Sequence, residues 1–271
     1  MLCARLFDRG ALAHGEVSVA GGTVPIAMAG EGPPLILLHG WSLDHRMWRP
    51  QVAGLAGRFI LIMPDRRGCG RASAPPDLLR EADDVIAIAD FFGLDRFALA
   101  GLSRGAVVAL DVARRHGARL SALAVSGAPL PALVPRDEAI DLARFTALAA
   151  AGDLAQLRAE WAAHPLMQTR SPEAAALVAE ILADYDARDL LAPSAMPGLP
   201  REVLASLMMP VLSMTGADDT PWRRACARAL AAIAPRARHL ELPGAGHLAN
   251  LDNPGAFNDA LAGFIHTGAL T

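Results

Sequence analysis

Apolar residues along this chain fall into short continuous runs bounded by turn residues. The runs are "PLILLHG" (34 to 40), "RFILIMPD" (58 to 65), "RFALAG" (96 to 101), "LSALAVSG" (120 to 127), "PVLSMTG" (210 to 216) and "ARHLELPG" (237 to 244). A strand with one wet face alternates apolar and polar positions, so most of these runs predict strands covered on both faces of a parallel sheet. Helix-length segments separate them, near 44–57, 78–92, 104–116 and 221–234, with another at 254–265 after the last strand. Such alternation predicts a doubly wound α/β sheet with right-handed crossovers. Two more strands, 15–20 and 23–29 about Gly21-Gly22, predict a leading hairpin and bring the total to about eight.

The alternation stops between about 130 and 200. Prolines at 129, 131 and 135 open this stretch and prolines at 193, 197 and 200 close it. Between them, alanine-rich helical patterning covers 137–151, 153–163 and 172–185. The expected organisation is therefore an α/β core from residues 1–129 and 201–271, with 130–200 inserted as a helical cap.

Composition narrows the function classes. A chain of 271 residues can bury a substantial core without staples. Cys3, Cys69 and Cys226 are odd in number and far apart, which argues for a reducing compartment rather than a disulfide framework. The first residues lack the uninterrupted apolar core of a secretory signal, and no stretch is apolar enough to span a bilayer, so a cytoplasmic location is expected. A net charge of −3 with scattered signs gives no footprint for nucleic acid or an anionic membrane. All 25 basic residues are arginine, which removes a Schiff-base lysine and a P-loop lysine. The eight histidines show no paired ligand spacing, so neither a metal nor a cofactor is expected. Oligomeric state is not legible.

Chemistry in an α/β sheet gathers at the carboxyl ends of the strands, where loops and helix N-termini converge. Ser103, Asp219 and His247 each follow a predicted strand and can meet on that edge despite their separation in sequence. Ser103 sits in "GLSRG", a strand-to-helix turn tight enough to force its central residue into a sparsely allowed backbone region, with flanking glycines that remove clashing Cβ atoms. A serine hydroxyl needs a base to become a nucleophile, the role expected of His247; a carboxylate must hold the imidazole's tautomer, the role expected of Asp219, with Asp218 as its rival. The backbone N–H groups of Trp41, after "LLHG", and Arg104, at the positive end of a helix, are the expected oxyanion donors. "PDRRG" reads as loop-tying ion pairs, and His39 as a structural histidine bonded to backbone near the oxyanion turn.

Together "LLHGW", "PDRRGCGRAS", "GLSRGA", "TGADD" and "GAGH" resemble the ordered signature blocks of the α/β-hydrolase superfamily. The likeness runs from residue 15 to 266 apart from the insertion and is similar to bacterial aryl esterases, cofactor-free perhydrolases and enol-lactone hydrolases. It implies a cap in the slot that 130–200 occupies, and hydrolysis of a small ester or lactone through an acyl-enzyme on Ser103. Carbon–carbon bond hydrolysis, perhydrolysis with the same triad, and a non-catalytic ligand sensor on the same fold are the alternatives. Arg104 departs from the usual methionine, leucine or glutamine after the serine; it resembles the arginine after the nucleophile of haloacetate dehalogenases, which leaves an acidic substrate open. Trp161, His164 and Met167 in the insertion are candidates to line the substrate pocket.

Overall fold

The computed structural model describes residues 12–192 and 195–268; Cys3, Pro193 and the extreme ends assigned to the core lie outside them. Eight strands form one sheet: β1 (Ala13–Val19), β2 (Gly22–Ala29), β3 (Pro34–Leu38), β4 (Ile60–Pro64), β5 (Phe97–Leu102), β6 (Leu120–Ser126), β7 (Val211–Gly216) and β8 (Ala237–Leu242). Their spatial order is β1-β2-β4-β3-β5-β6-β7-β8. The leading hairpin pairs antiparallel, β2 joins β4 antiparallel, and every later pairing is parallel. The reversal between β4 and β3 puts the sheet's topological switch beside β5.

Helices α1 (Arg49–Leu55), α2 (Glu81–Phe91), α3 (Arg104–His116), α8 (Pro221–Ile233), α9 (Ala249–Asp252) and α10 (Pro254–Gly268) clothe the sheet. Alternate residues of β3 show why its run is continuously apolar. Leu35 and Leu37 pack into the layer containing Trp48 and Phe257, whereas Ile36 and Leu38 pack into the opposite layer with Ile88 and Val108. All four are solvent-excluded, so every position must be apolar.

Between β6 and β7 lie α4 (Leu142–Ala151), α5 (Leu154–Ala162), α6 (Pro172–Asp184) and α7 (Arg201–Ala205). Aspartate and serine side chains cap three of these N-termini, Asp141 for α4, Asp153 for α5 and Ser171 for α6, and Pro172 occupies the first turn of the last. Phe145, Leu148, Trp161 and Leu182 join the same apolar layer as Leu35 and Leu37. α4 begins at Leu142 rather than near 137, because Glu138 directs its carboxylate to Arg223 and Thr220 instead of opening a helix.

The charged "PDRRG" loop is fixed by burial. Arg66 pairs with Glu81 at 2.7 Å, Arg67 with Asp84 at 2.6 Å, and Asp65 receives His45 Nδ1 at 2.7 Å. His39 Nδ1 bonds the Gly40 carbonyl at 2.8 Å while its Nε2 accepts the Arg66 N–H at 2.9 Å, which sets one tautomer. Burial, helped by the Arg66 charge, pushes the His39 pKa down to about 3.

Candidate active site

Ser103 stands between β5 and α3 with φ +55°, a left-handed value rare for a side-chain-bearing residue. Its N–H is held by the Ser126 carbonyl at 2.8 Å on neighbouring β6. The flanking glycines serve close approach. A Cβ at Gly101 would strike the Gly105 carbonyl, and one at Gly105 would strike the Leu38 carbonyl of β3. The elbow is therefore pressed against the sheet, which lifts the serine to its rim.

Asp219 and His247 follow β7 and β8. His247 Nδ1 bonds both Asp219 oxygens, at 3.0 and 3.2 Å, and both side chains are buried. The carboxylate fixes the proton on Nδ1 and leaves Nε2 as the free acceptor. Asp218, the neighbouring carboxylate, is half exposed and lies 3.7 Å from Arg170. Gly127 closes this corner: with φ +58°, any Cβ there would lie 2.7 Å from His247 Cε1 and 3.2 Å from Asp219 Oδ2.

One cavity of about 210 Å³ has Ser103 and His247 in its wall together with Gly40, Trp41 and Arg104. Strand β3 ends beside β5, with Leu38 opposite Gly101, so the turn carrying Trp41 and the helix start carrying Arg104 lie on adjacent strand ends. Ser42, also left-handed at φ +61°, shapes that turn; its hydroxyl donates to the Trp41 carbonyl at 2.5 Å and accepts from Trp161 Nε1 at 2.6 Å. Helix α5, which carries Trp161, thus grips the turn next to the serine.

Trp161 and Met167 line the cavity. His164 does not, and the expectation for it is corrected: it stacks on Trp161 at 4.9 Å, its Nδ1 accepts the Leu166 N–H at 3.2 Å and its Nε2 lies 3.1 Å from the Ala139 carbonyl, so both ring nitrogens are engaged away from the serine. The Arg104 side chain reaches the cavity wall, but its guanidinium bonds Asp189 at 2.8 Å and lies 5.1 Å from the Trp41 ring centroid. Asp189 also takes Trp41 Nε1 at 2.7 Å and the Tyr185 hydroxyl at 2.6 Å. Burial and that carboxylate push the Tyr185 pKa up, so the phenol stays a donor.

Sequence reasoning missed Arg223 and Glu138. Arg223, in the first turn of α8, is buried and bidentate to Glu138, with a closest approach of 2.6 Å. Its Nη1 donates to the Gly127 carbonyl at 2.7 Å and lies 3.5 Å from Ser103 Oγ. Burial works against the Glu138 carboxylate, yet the hydrogen bonds and charge of Arg223 outweigh it and the pKa ends below its ordinary value. A cation in the first turn of a helix opposes the macrodipole, and that was the available signal that a carboxylate waits nearby.

Among the described residues, Asp44, His45 and Asp65 form the cluster whose donor atoms lie close enough to share a metal, within 4.8 Å. These donors are already engaged, Asp44 by the Arg46 guanidinium and Asp65 by His45. The cluster borders a different cavity from the one holding Ser103. Among the described residues no helix is long and apolar enough to cross a membrane.

Comparison with known proteins adds three kinds of likeness. Residues 35–260 match a family model described as the alpha/beta hydrolase family. The chain is 28% identical to a pimeloyl-[acyl-carrier protein] methyl ester esterase of Aeromonas hydrophila, over 90% of this chain and 99% of the relative. It is 24% identical to 3-oxoadipate enol-lactonase 1 of Acinetobacter baylyi, over 86% and 88%. In fold it superposes on the crystal structure of the enol-lactonase from Burkholderia xenovorans with a TM-score of 0.78 and 24% identity, covering 93% of this chain and all of that one.

Proposed function

The chain belongs to the alpha/beta hydrolase family, and from that premise we propose that it is a serine hydrolase of a small carboxylic ester or lactone. The observation that carries the reading is the opening of Ser103 and His247 into one cavity, with Asp219 bonded behind the imidazole. In the first step His247 Nε2 takes the hydroxyl proton as Ser103 Oγ attacks the carbonyl carbon. The Trp41 and Arg104 N–H groups receive the charge that develops on the carbonyl oxygen. His247 then passes its proton to the departing alkoxide, leaving an acyl group on Ser103. A water deprotonated by His247 attacks that ester, and the proton returns to the serine as the acid leaves.

Cavity size bounds the substrate. About 210 Å³ lies below the ~300–1,000 Å³ of pockets for drug-sized ligands, which favours a short acyl chain or a single small ring. The buried, unpaired thiols of Cys69 and Cys226 are at ease in a reducing compartment and support a cytoplasmic setting; burial pushes the Cys69 pKa up to about 12, which keeps that thiol out of the chemistry. Replacing Ser103→Ala is expected to abolish hydrolysis of p-nitrophenyl acetate while the melting temperature is retained. Unimpaired turnover by that variant would refute the assignment.

A further inference from the structure

The cavity beside Ser103 is lined by three guanidinium groups, Arg104, Arg136 and Arg223, and by no carboxylate. Two of the three are matched from behind, Arg104 by Asp189 and Arg223 by Glu138. Arg136 is not: among the described residues no carboxylate pairs with it. Its Nε donates to the Glu138 backbone carbonyl at 2.9 Å and its guanidinium lies 5.7 Å from the centroid of the Trp222 ring. Arg223 lies 5.2 Å from the same ring. Arg136 and Arg223 therefore share one aromatic support and one residue, Glu138, whose single carboxylate balances only one of them. The wall formed by Trp222 carries one positive charge in excess, next to the nucleophile.

We propose that this wall is a carboxylate subsite, and that the substrate is a small ester or lactone bearing a free carboxylate which Arg136 receives. The inference deepens the hydrolase reading and rests on it. Anchoring of Nε and support from the ring orient the guanidinium before any ligand arrives, which leaves its two terminal nitrogens as a two-pronged fork of the kind that fits a carboxylate. Arg223 Nη1, which spans Gly127 and Ser103 Oγ, adds positive potential at the reacting end. Apolar side chains such as Ile140, Leu142 and Met167 line the rest of the space and suit a methylene spacer. Focusing by a cavity of one sign, in a chain whose net charge is −3, favours anionic substrates over neutral ones of equal size.

The test compares two methyl esters of nearly equal shape, methyl butyrate and monomethyl succinate, by pH-stat. Wild-type kcat/KM is expected to favour the succinate through KM. In Arg136→Gln that preference is expected to fall on the order of tenfold to a hundredfold, the range for a lost hydrogen bond to a charged group. Arg136→Lys, which keeps the charge but loses the fork, is expected to restore part of it. Melting curves check that the exposed substitution leaves the fold intact. Calorimetry of monomethyl succinate with Ser103→Ala, with and without Arg136→Gln, reads the subsite without turnover, and weaker binding in the double variant is expected. A wild-type preference for methyl butyrate, or a preference and binding constant untouched by Arg136→Gln, would overturn the subsite. If the wild type cleaves neither ester, the hydrolase reading suffers, and the calorimetric pair alone decides the subsite.

Discussion

The two walls of the cavity are built by different means. On the sheet side, Ser103, Asp219 and His247 are fixed by strand ends, a left-handed elbow and a glycine pressed against the imidazole. On the other side, Trp161, Met167 and Asp189, all from the segment between β6 and β7, reach the cavity or its border from helices and turns that share the apolar layer of Leu35 and Leu37 and meet the Trp41 turn and Arg104 through an aromatic stack and directed hydrogen bonds. Backbone geometry tolerates no sliding, whereas a packed aromatic wall can be refilled with other shapes. On the proposed reading, the sheet wall sets whether a bond is broken, and the residues between β6 and β7 contribute to which molecule is present when it happens.

Substitutions can break or sharpen that contrast. The largest effect is expected from the sheet wall: Asp219→Asn should lower kcat on the order of 10⁴-fold with little change in KM, because the imidazole loses the tautomer that leaves Nε2 free. Steady-state kinetics on p-nitrophenyl acetate measures this. Glu138→Gln comes next and is read as stability, since it strands the buried Arg223 charge; urea unfolding should show a loss of about 3–5 kcal/mol. Trp161→Phe keeps an aromatic ring but removes the indole hydrogen bond to Ser42, and should cost about 1 kcal/mol in kcat/KM. Were Trp161→Phe to lower kcat as far as Asp219→Asn does, the division between the walls would fail.

A further effect concerns pH. Folded His39 stays neutral down to about 3, whereas the unfolded chain protonates near 6.5. Below 6.5 the unfolded state therefore binds the extra proton, so the stabilisation is complete above that pH and drains away as pH falls toward 3. Denaturation of wild type between pH 6.5 and 5 should show a decline that His39→Gln reduces by on the order of 1 kcal/mol per pH unit. Equal slopes for the two proteins would contradict this reading of His39.

The sheet was largely legible in the sequence, because a strand buried on both faces has to be apolar throughout, as Leu35 to Leu38 are. The positions of Ser103, Asp219 and His247 followed from that, each being a short step beyond a recognisable strand. What escaped were partners chosen across long separations. Arg104 meets Asp189 from 85 residues away and Arg223 meets Glu138 across 85 positions, so nothing local to either arginine names its carboxylate. The start of α4 was misread for the same reason: Glu138 has helical propensity, and its tertiary bond to Arg223 overrides it. His164 has the composition of a pocket residue, yet stacking on Trp161 and the Ala139 carbonyl turn it elsewhere.

The central claim is that an acyl group passes through Ser103. Rapid quenching of the protein with p-nitrophenyl acetate in acid, followed by intact and peptide mass spectrometry, tests it most directly. The expected result is one acetyl group per chain, mapped to Ser103, accumulating in His247→Gln only far more slowly than in wild type. Acetylation elsewhere, or steady turnover with Ser103 never modified, would contradict it.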